Sequence, residues 1–210
     1  MSPDREQGLG ASLQGSHVAQ LFDEPPSLIA AVSIHLHDGW RRGDNLLIAA
    51  RPHHWNAISL ELGARGCPVS ELLAEGKLVA LDAATTLSTL MADGVVQREI
   101  FEARVLPLVA RLRPDSGVGL TVYGEMVDLL AAQRNFAAAE QLEALWNEAL
   151  ARHPFRLMCG YSSAAFGDPR TAGHLRTICG AHREVAARPA DLLATWLLAE
   201  RRSRYHLDTH

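Results

Sequence analysis

The sequence predicts an α/β protein, with a central, mostly parallel sheet and helices on both faces. Three observations carry that expectation. Continuous apolar runs of strand length recur at Asn45–Ala50 (NLLIAA), 118–123 (VGLTVY) and 156–161 (RLMCGY), and runs without polar alternation belong to strands covered on both faces. Each run is followed by apolar residues at three- and four-residue spacing, the period of a helix. Strand and helix alternate along the chain, which is the order that builds a parallel sheet through crossover helices. With 210 residues, 48% of them hydrophobic, the chain can bury one well-packed core.

Taken in order, residues 17–22 (HVAQLF) read as a first strand. Pro26 or Ser27 opens a helix whose shared face holds Leu28, Ala31, Val32, His35 and Leu36, with Gly39 and Gly43 at its end. After Asn45–Ala50, the loop Arg51-Pro52-His53-His54 leads into a helix through Trp55, Ile58, Leu62 and Ala64, closed by Gly66. A short helix is expected over 69–75, a strand over 78–81 with Asp82 at its carboxyl end, and a brief helix over Ala83–Leu90. An Asp93-Gly94 turn follows, then a long amphipathic helix over 97–112, bent at Pro107.

The stretch 117–150 organises the rest. Its apolar strand ends in Gly124-Glu125, and Met126, Leu129 and Leu130 begin a helix. Asn135 is the expected N-cap of a second one, with Ala138, Leu142, Leu145, Trp146 and Ala149 on one face. Pro154 stops it. Beyond the strand 156–161 come a helical turn at Ala164-Ala165-Phe166, a short helix over 171–179, and a terminal helix over 189–204 with Pro189 at its first position.

Composition excludes several function classes. The net charge is −4 and the pI about 6.2, so there is no basic surface to recruit nucleic acid. No apolar run approaches the roughly 18 residues of a membrane helix. Residues 1–15 are polar, with acids mixed in, and lack the basic-then-apolar order of a signal peptide; they read as a disordered lead-in. Cys67, Cys159 and Cys179 are odd in number and show no CxxC spacing, which fits a reducing cytoplasm.

Candidate chemistry sits at predicted strand ends. Carboxyl ends of parallel strands form the ligand crevice of such folds, and Glu125 stands there; equally, a carboxylate simply suits the positive end of the next helix. The loop after Asn45–Ala50 is a place for a phosphate loop, yet it holds no glycine and no Lys-Ser/Thr pair, and Pro52 donates no N–H. Arg51, His53 and His54 suit an anion at this helix start, or form a solvated loop. The pocket expected from these positions is lined by Arg51, His53, His54, Trp55, Asp82, Glu125 and Tyr161. His17, Cys159, Cys179 and His182 are potential metal ligands, but only Cys179-x-x-His182 is closely spaced and a structural zinc site normally shows two such pairs. No metal and no cofactor is therefore expected, and a catalytic cysteine lacks any nucleophile signature. Trp55, Trp146 and Trp196 fall on apolar helix faces and read as core. The last helix, with Leu192, Leu193, Trp196 and Leu197 in one stripe and Arg201-Arg202-x-Arg204 at its end, either packs on the sheet or faces a partner.

Residues 17–185 resemble the MEDS family, the methanogen/methylotroph, DcmR sensory domain. The resemblance rests on His17 and Phe22, on Gly39 and Gly43-Asp44 before Asn45–Ala50, and on Gly66 and Gly76-Lys77-Leu78. It continues through Gly124-Glu125-Met126, Leu142-Glu143-x-x-Trp146-Asn147, Cys159-Gly160-Tyr161 with Phe166, and Cys179-x-x-His182-x-x-Val185. It implies a three-layer, RecA-like scaffold related to RecA/KaiC-type ATPases that lost the phosphate loop. It also implies a sensory role, with simple hydrocarbon derivatives as ligands and histidine kinases or transcription regulators as partners. Residues 16–188 would form the sensory domain and 189–210 a C-terminal helix and tail, with no room for a kinase or helix-turn-helix output. The expectation is thus a cytoplasmic, non-catalytic signalling domain without NTPase activity, which binds a small molecule and passes its output through a partner or self-association. The rivals are an anti-regulator acting through the C-terminal helix, and an enzyme using Glu125 as general base.

Overall fold

The structure, a computed structural model, describes residues 15–113 and 117–205. The lead-in expected over 1–15 falls, Gly15 apart, outside the described residues. In chain order the first elements are β1 (Ser16–Phe22), α1 (Pro25–Arg41), β2 (Asn45–Ala50), α2 (Pro52–Ala64), α3 (Val69–Ala74), β3 (Leu78–Asp82) and α4 (Ala83–Leu90). A small hairpin of β4 (Met91–Ala92) and β5 (Val95–Val96) precedes α5 (Arg98–Leu112). Then come β6 (Leu120–Gly124), α6 (Met126–Ala132), α7 (Phe136–Arg152), β7 (Arg156–Ser162), α8 (Ala172–Ala181), β8 (Glu184–Ala187) and α9 (Leu192–Tyr205), with short 3-10 turns at Ser163–Phe166 and Pro169–Thr171.

Six strands form one sheet in the order β3-β2-β6-β7-β1-β8, and every pairing in it is parallel. Alternate residues of each strand point to opposite faces, and the core divides accordingly. Leu46, Ile48 and Ala50 of β2 pack with Leu28, Val32 and Leu36 of α1 and Ile58 and Leu62 of α2. Leu47 and Ala49 join the larger cluster, with side chains of α4, α5, α6, α7, α8 and α9. This is the expected three-layer α/β arrangement.

Local chemistry explains most boundaries. Asp82 accepts from the Thr85 N–H at 2.6 Å and so starts α4, and the Asn135 side chain caps α7 through Ala138. Asp93 and Gly94 both take positive φ, 49° and 77°, which closes the hairpin. α5 runs through Pro107. Gly124 is the last residue of β6 and pairs with Ala49 and Cys159.

The C-terminal helix departs from expectation. It begins at Leu192 rather than Pro189, because its cap comes from elsewhere: the Asp23 carboxylate, at the end of β1, accepts from the N–H groups of Leu193 and Ala194 at 2.8 and 2.9 Å. Ala194 and Leu197 are buried, while Leu192, Leu193 and Trp196 are exposed, Trp196 at 55%. Trp196 is thus not core, whereas Trp146 is, edge-on between Phe101 and Phe155. The side chains of Arg201, Arg202 and Arg204 lie outside the described residues.

Candidate functional site

After β2 the chain turns to one face through α2, and after β6 to the other through α6. That divergence opens a crevice at the carboxyl ends of two adjacent strands, where ligands of open α/β sheets bind. Here the protein fills it with its own charges. Glu125, fully buried, receives the Arg51 guanidinium at 2.7 Å, the His54 Nδ1 at 2.9 Å and the Tyr123 hydroxyl at 3.1 Å. The second arm of Arg51 reaches Asp128 at 2.6 Å, and the other oxygen of Asp128 accepts from the Ser162 N–H at 2.7 Å. The ends of β2, β6 and β7 are tied together.

Burial pushes the Glu125 carboxyl up, but the His54 and Arg51 hydrogen bonds and charges prevail and hold it below the ordinary carboxylate range. Burial opposes the Arg51 charge, and Asp128 and Glu125 more than offset it. Burial and the Glu125 charge push the Tyr123 hydroxyl well up, so it stays a donor.

Of the residues expected to share a pocket, Arg51, His54 and Glu125 meet. His53 is exposed with its ring 4.3 Å from that of His54, and Trp55 packs against the α1–α3 side of the core. Asp82 caps α4. Tyr161 is buried in a different cluster. Sequence reasoning missed Tyr123 and Asp128. The signal for Asp128 was its place in the first turn of α6, three residues after Glu125.

Tyr161 belongs to the second cluster, which lies under β1 and β7. His17 and Cys159 point to the α7 face of the sheet, Glu143 and Asn147 come from α7, and His182 closes α8. The Tyr161 hydroxyl donates to Glu143 at 2.6 Å. Glu143 lies 3.1 Å from His17 Nε2 and 3.3 Å from His182 Nε2. Burial pushes the Glu143 carboxyl up, yet His182 and His17 hold it well below its ordinary range; burial and the Glu143 charge push the Cys159 thiol far up. Seven residues that carry the family resemblance, His17, Glu143, Asn147, Cys159, Gly160, Tyr161 and His182, are gathered at or beside this one place.

A third feature is a cavity of about 410 Å³ between the sheet and α4 and α5. Its walls are mostly apolar, among them Leu47, Ala49, Leu81, Leu108 and Val122, with Thr86, Thr89 and Arg104 as polar groups. Among the described residues Arg104 has no ion-pair partner.

Fold and site together define a doubly wound parallel α/β domain with two buried polar clusters, one at the carboxyl ends of β2 and β6 and one beneath β1 and β7. The chain belongs to the MEDS family: the family described as "MEthanogen/methylotroph, DcmR Sensory domain" matches residues 16–182. No curated protein and no solved structure matches it. The family's description is that of a sensory domain, which points to a role in signalling. No helix among the described residues is long and apolar enough to cross a membrane.

Proposed function

We propose that the protein is a non-catalytic sensory domain that takes a small, mostly apolar molecule, a simple hydrocarbon derivative with one polar end, into the cavity beneath α4 and α5. The carrying observation is that cavity. Its volume of about 410 Å³ falls in the range of small-molecule pockets, whose walls are apolar with a few polar groups. The strand-end crevice, by contrast, is occupied by Arg51, Glu125, His54 and Asp128. Arg104, Thr86 and Thr89 would receive the polar end. Glu125 is a poor general base: it is fully buried, and its carboxyl is held below the ordinary range by groups that already bond it.

The test is calorimetric titration of the protein with straight-chain alcohols and carboxylates of increasing length. Binding should strengthen with each added methylene, by about 0.8 kcal/mol, until the cavity is full. It should vanish in Ala49→Phe, which fills the cavity from β2, with the circular dichroism unchanged. If neither series binds, or if Ala49→Phe binds as the parent does, the proposal fails.

A second element of this reading concerns output. Leu192, Leu193 and Trp196 present an exposed apolar stripe on α9, which favours a docked signalling partner, a kinase or a transcription regulator, on that helix.

A further inference from the structure

The cluster under β1 and β7 brings four metal-ligating side chains to one point. One ligand atom from each of His17, His182, Cys159 and Glu143 lies within 4.8 Å of the others, and all four residues are buried; the Nε2 atoms of His17 and His182 are the ring nitrogens beside Glu143. From this geometry we infer that His17, Glu143, Cys159 and His182 form a divalent transition-metal site, of the kind that takes Zn²⁺. The inference is independent of the cavity proposed for the sensed molecule.

The distances are close to those of a tetrahedral site, with His17 and Cys159 nearest one Glu143 oxygen, Oε2, and His182 nearest the other, Oε1. Zinc sits about 2.0 Å from nitrogen or oxygen and about 2.3 Å from sulfur, so ligand atoms around it stand roughly 3.3 Å apart for N–O pairs and roughly 3.5 Å for N–S pairs. Here His17 to Glu143 is 3.1 Å, His182 to Glu143 is 3.3 Å, His17 to Cys159 is 3.4 Å and Cys159 to Glu143 is 3.7 Å. Two nitrogens, one oxygen and one sulfur suit a borderline-soft cation.

The surroundings set the ligands for that task. His182 Nδ1 lies 2.6 Å from the Ile178 carbonyl oxygen, which only accepts, so Nδ1 carries a proton and Nε2 is the nitrogen left to face a metal. Asn147 donates through its amide nitrogen to the Ala181 carbonyl at 2.9 Å. Its amide oxygen is thereby turned to His17 Nδ1, also at 2.9 Å, and His17 Nε2 is bared in the same way. A metal-bound histidine is held by this kind of partner on its far nitrogen. Tyr161 holds the Glu143 carboxylate from the side.

Without a cation this arrangement is electrostatically awkward. His182 Nε2 is buried and makes no hydrogen bond, although it stands 3.3 Å from a carboxylate oxygen. With one imidazole protonated the charge balances Glu143, but the other then turns an Nε2 lone pair toward the carboxylate and the sulfur. Protonating both imidazoles over one carboxylate and a neutral thiol would leave a net positive charge in the core, which burial penalises. One divalent ion with the carboxylate and a thiolate is neutral overall and uses every lone pair. Four protein ligands make the closed kind of site that stabilises a fold. His17, Asn147 and His182 also line an open groove of about 620 Å³, which gives the ion a way in and out.

Cobalt reports the site directly. The chelator-treated full chain, kept reduced and anaerobic, should take up one equivalent of Co²⁺. It should show the visible bands of a tetrahedral cobalt centre and a near-ultraviolet thiolate-to-cobalt band, both displaced by Zn²⁺. Cys159→Ser should lose the thiolate band, and Asn147→Ala, which frees His17, should weaken uptake by roughly 10- to 100-fold. The zinc-loaded parent supplies a check that needs no variant, because its X-ray absorption edge should show one sulfur among lighter scatterers. Absence of stoichiometric uptake, uptake without a sulfur ligand, or a thiolate band that survives Cys159→Ser would each overturn the assignment.

Discussion

At the scale of single residues, the buried acids of the two polar clusters, Glu125, Asp128 and Glu143, each sit against basic or hydrogen-bonding partners. Glu125 shows how this works: its burial cost is met by Arg51, His54 and Tyr123 together. The surrounding backbone makes room. A Cβ on Gly160 would stand 2.8 Å from the Tyr123 hydroxyl, so only glycine at that point of β7 lets Tyr123 reach Glu125. Removing the charge has a predictable sign. The Glu125 carboxyl titrates below its ordinary value of 4.5, so its stabilising effect is complete above that pH and is lost as pH falls through the folded value. Glu125→Gln leaves Arg51 with one acid instead of two, which should destabilise the domain by about 3 kcal/mol at neutral pH. The gap between parent and variant should close on acidification below about 4.5. Melting temperatures of both proteins across that range decide it, and a gap that stays constant would mean that the carboxylate is not the group responsible.

At the scale of elements, helices and strands with a clean period were legible in the sequence, and those fixed by distant partners were not. Asn45–Ala50, α4 and α7 lie where their apolar spacing and caps place them. The start of α9 could not be read, since Asp23, which caps it, is 170 positions from Leu193. β8 was missed as well. Its four residues, EVAA, are too few to show a period, and they become a strand only because β1 offers a free edge. The Asp23 cap makes a prediction of its own. Burial works against this carboxyl, but Ser163 and the two N–H groups hold it below its usual range. Asp23→Ala removes the acceptor for both N–H groups and should cost about 1–2 kcal/mol. Among the described side chains of α9, Ala194 and Leu197 are the buried ones, so the loss should appear there first. Hydrogen exchange should quicken across α9 while β2, β6 and β7 remain protected; uniform loss of protection would show that α9 is part of the cooperative core.

At the scale of the whole molecule, the topology joins features that sequence order keeps apart. His17 and Cys159, 142 positions apart, meet because β1 inserts between β7 and β8, so no local spacing could announce their cluster. The same topology creates two places where neighbouring strands send the chain to opposite faces, β2 beside β6 and β1 beside β7, and a nucleotide would bind at one of them. Neither is equipped for it. Phosphate binding at a helix start needs convergent N–H groups, but α1 opens with Pro25-Pro26 and α2 with Pro52, which donate nothing. The Arg51 N–H and guanidinium are already spent on Glu125 and Asp128, and the loop after β1 carries Asp23 and Glu24, whose charges repel a triphosphate. Each missing charge-assisted contact is worth roughly 1.5–3 kcal/mol, so losing three weakens binding by a factor on the order of 10³ or more. Calorimetric titration with Mg-ATP and with Mg-GTP at moderate salt should therefore register no binding below the millimolar range. Micromolar affinity, or phosphate release above background that disappears in Glu125→Gln, would overturn the sensory reading and make Glu125 the centre of an active site.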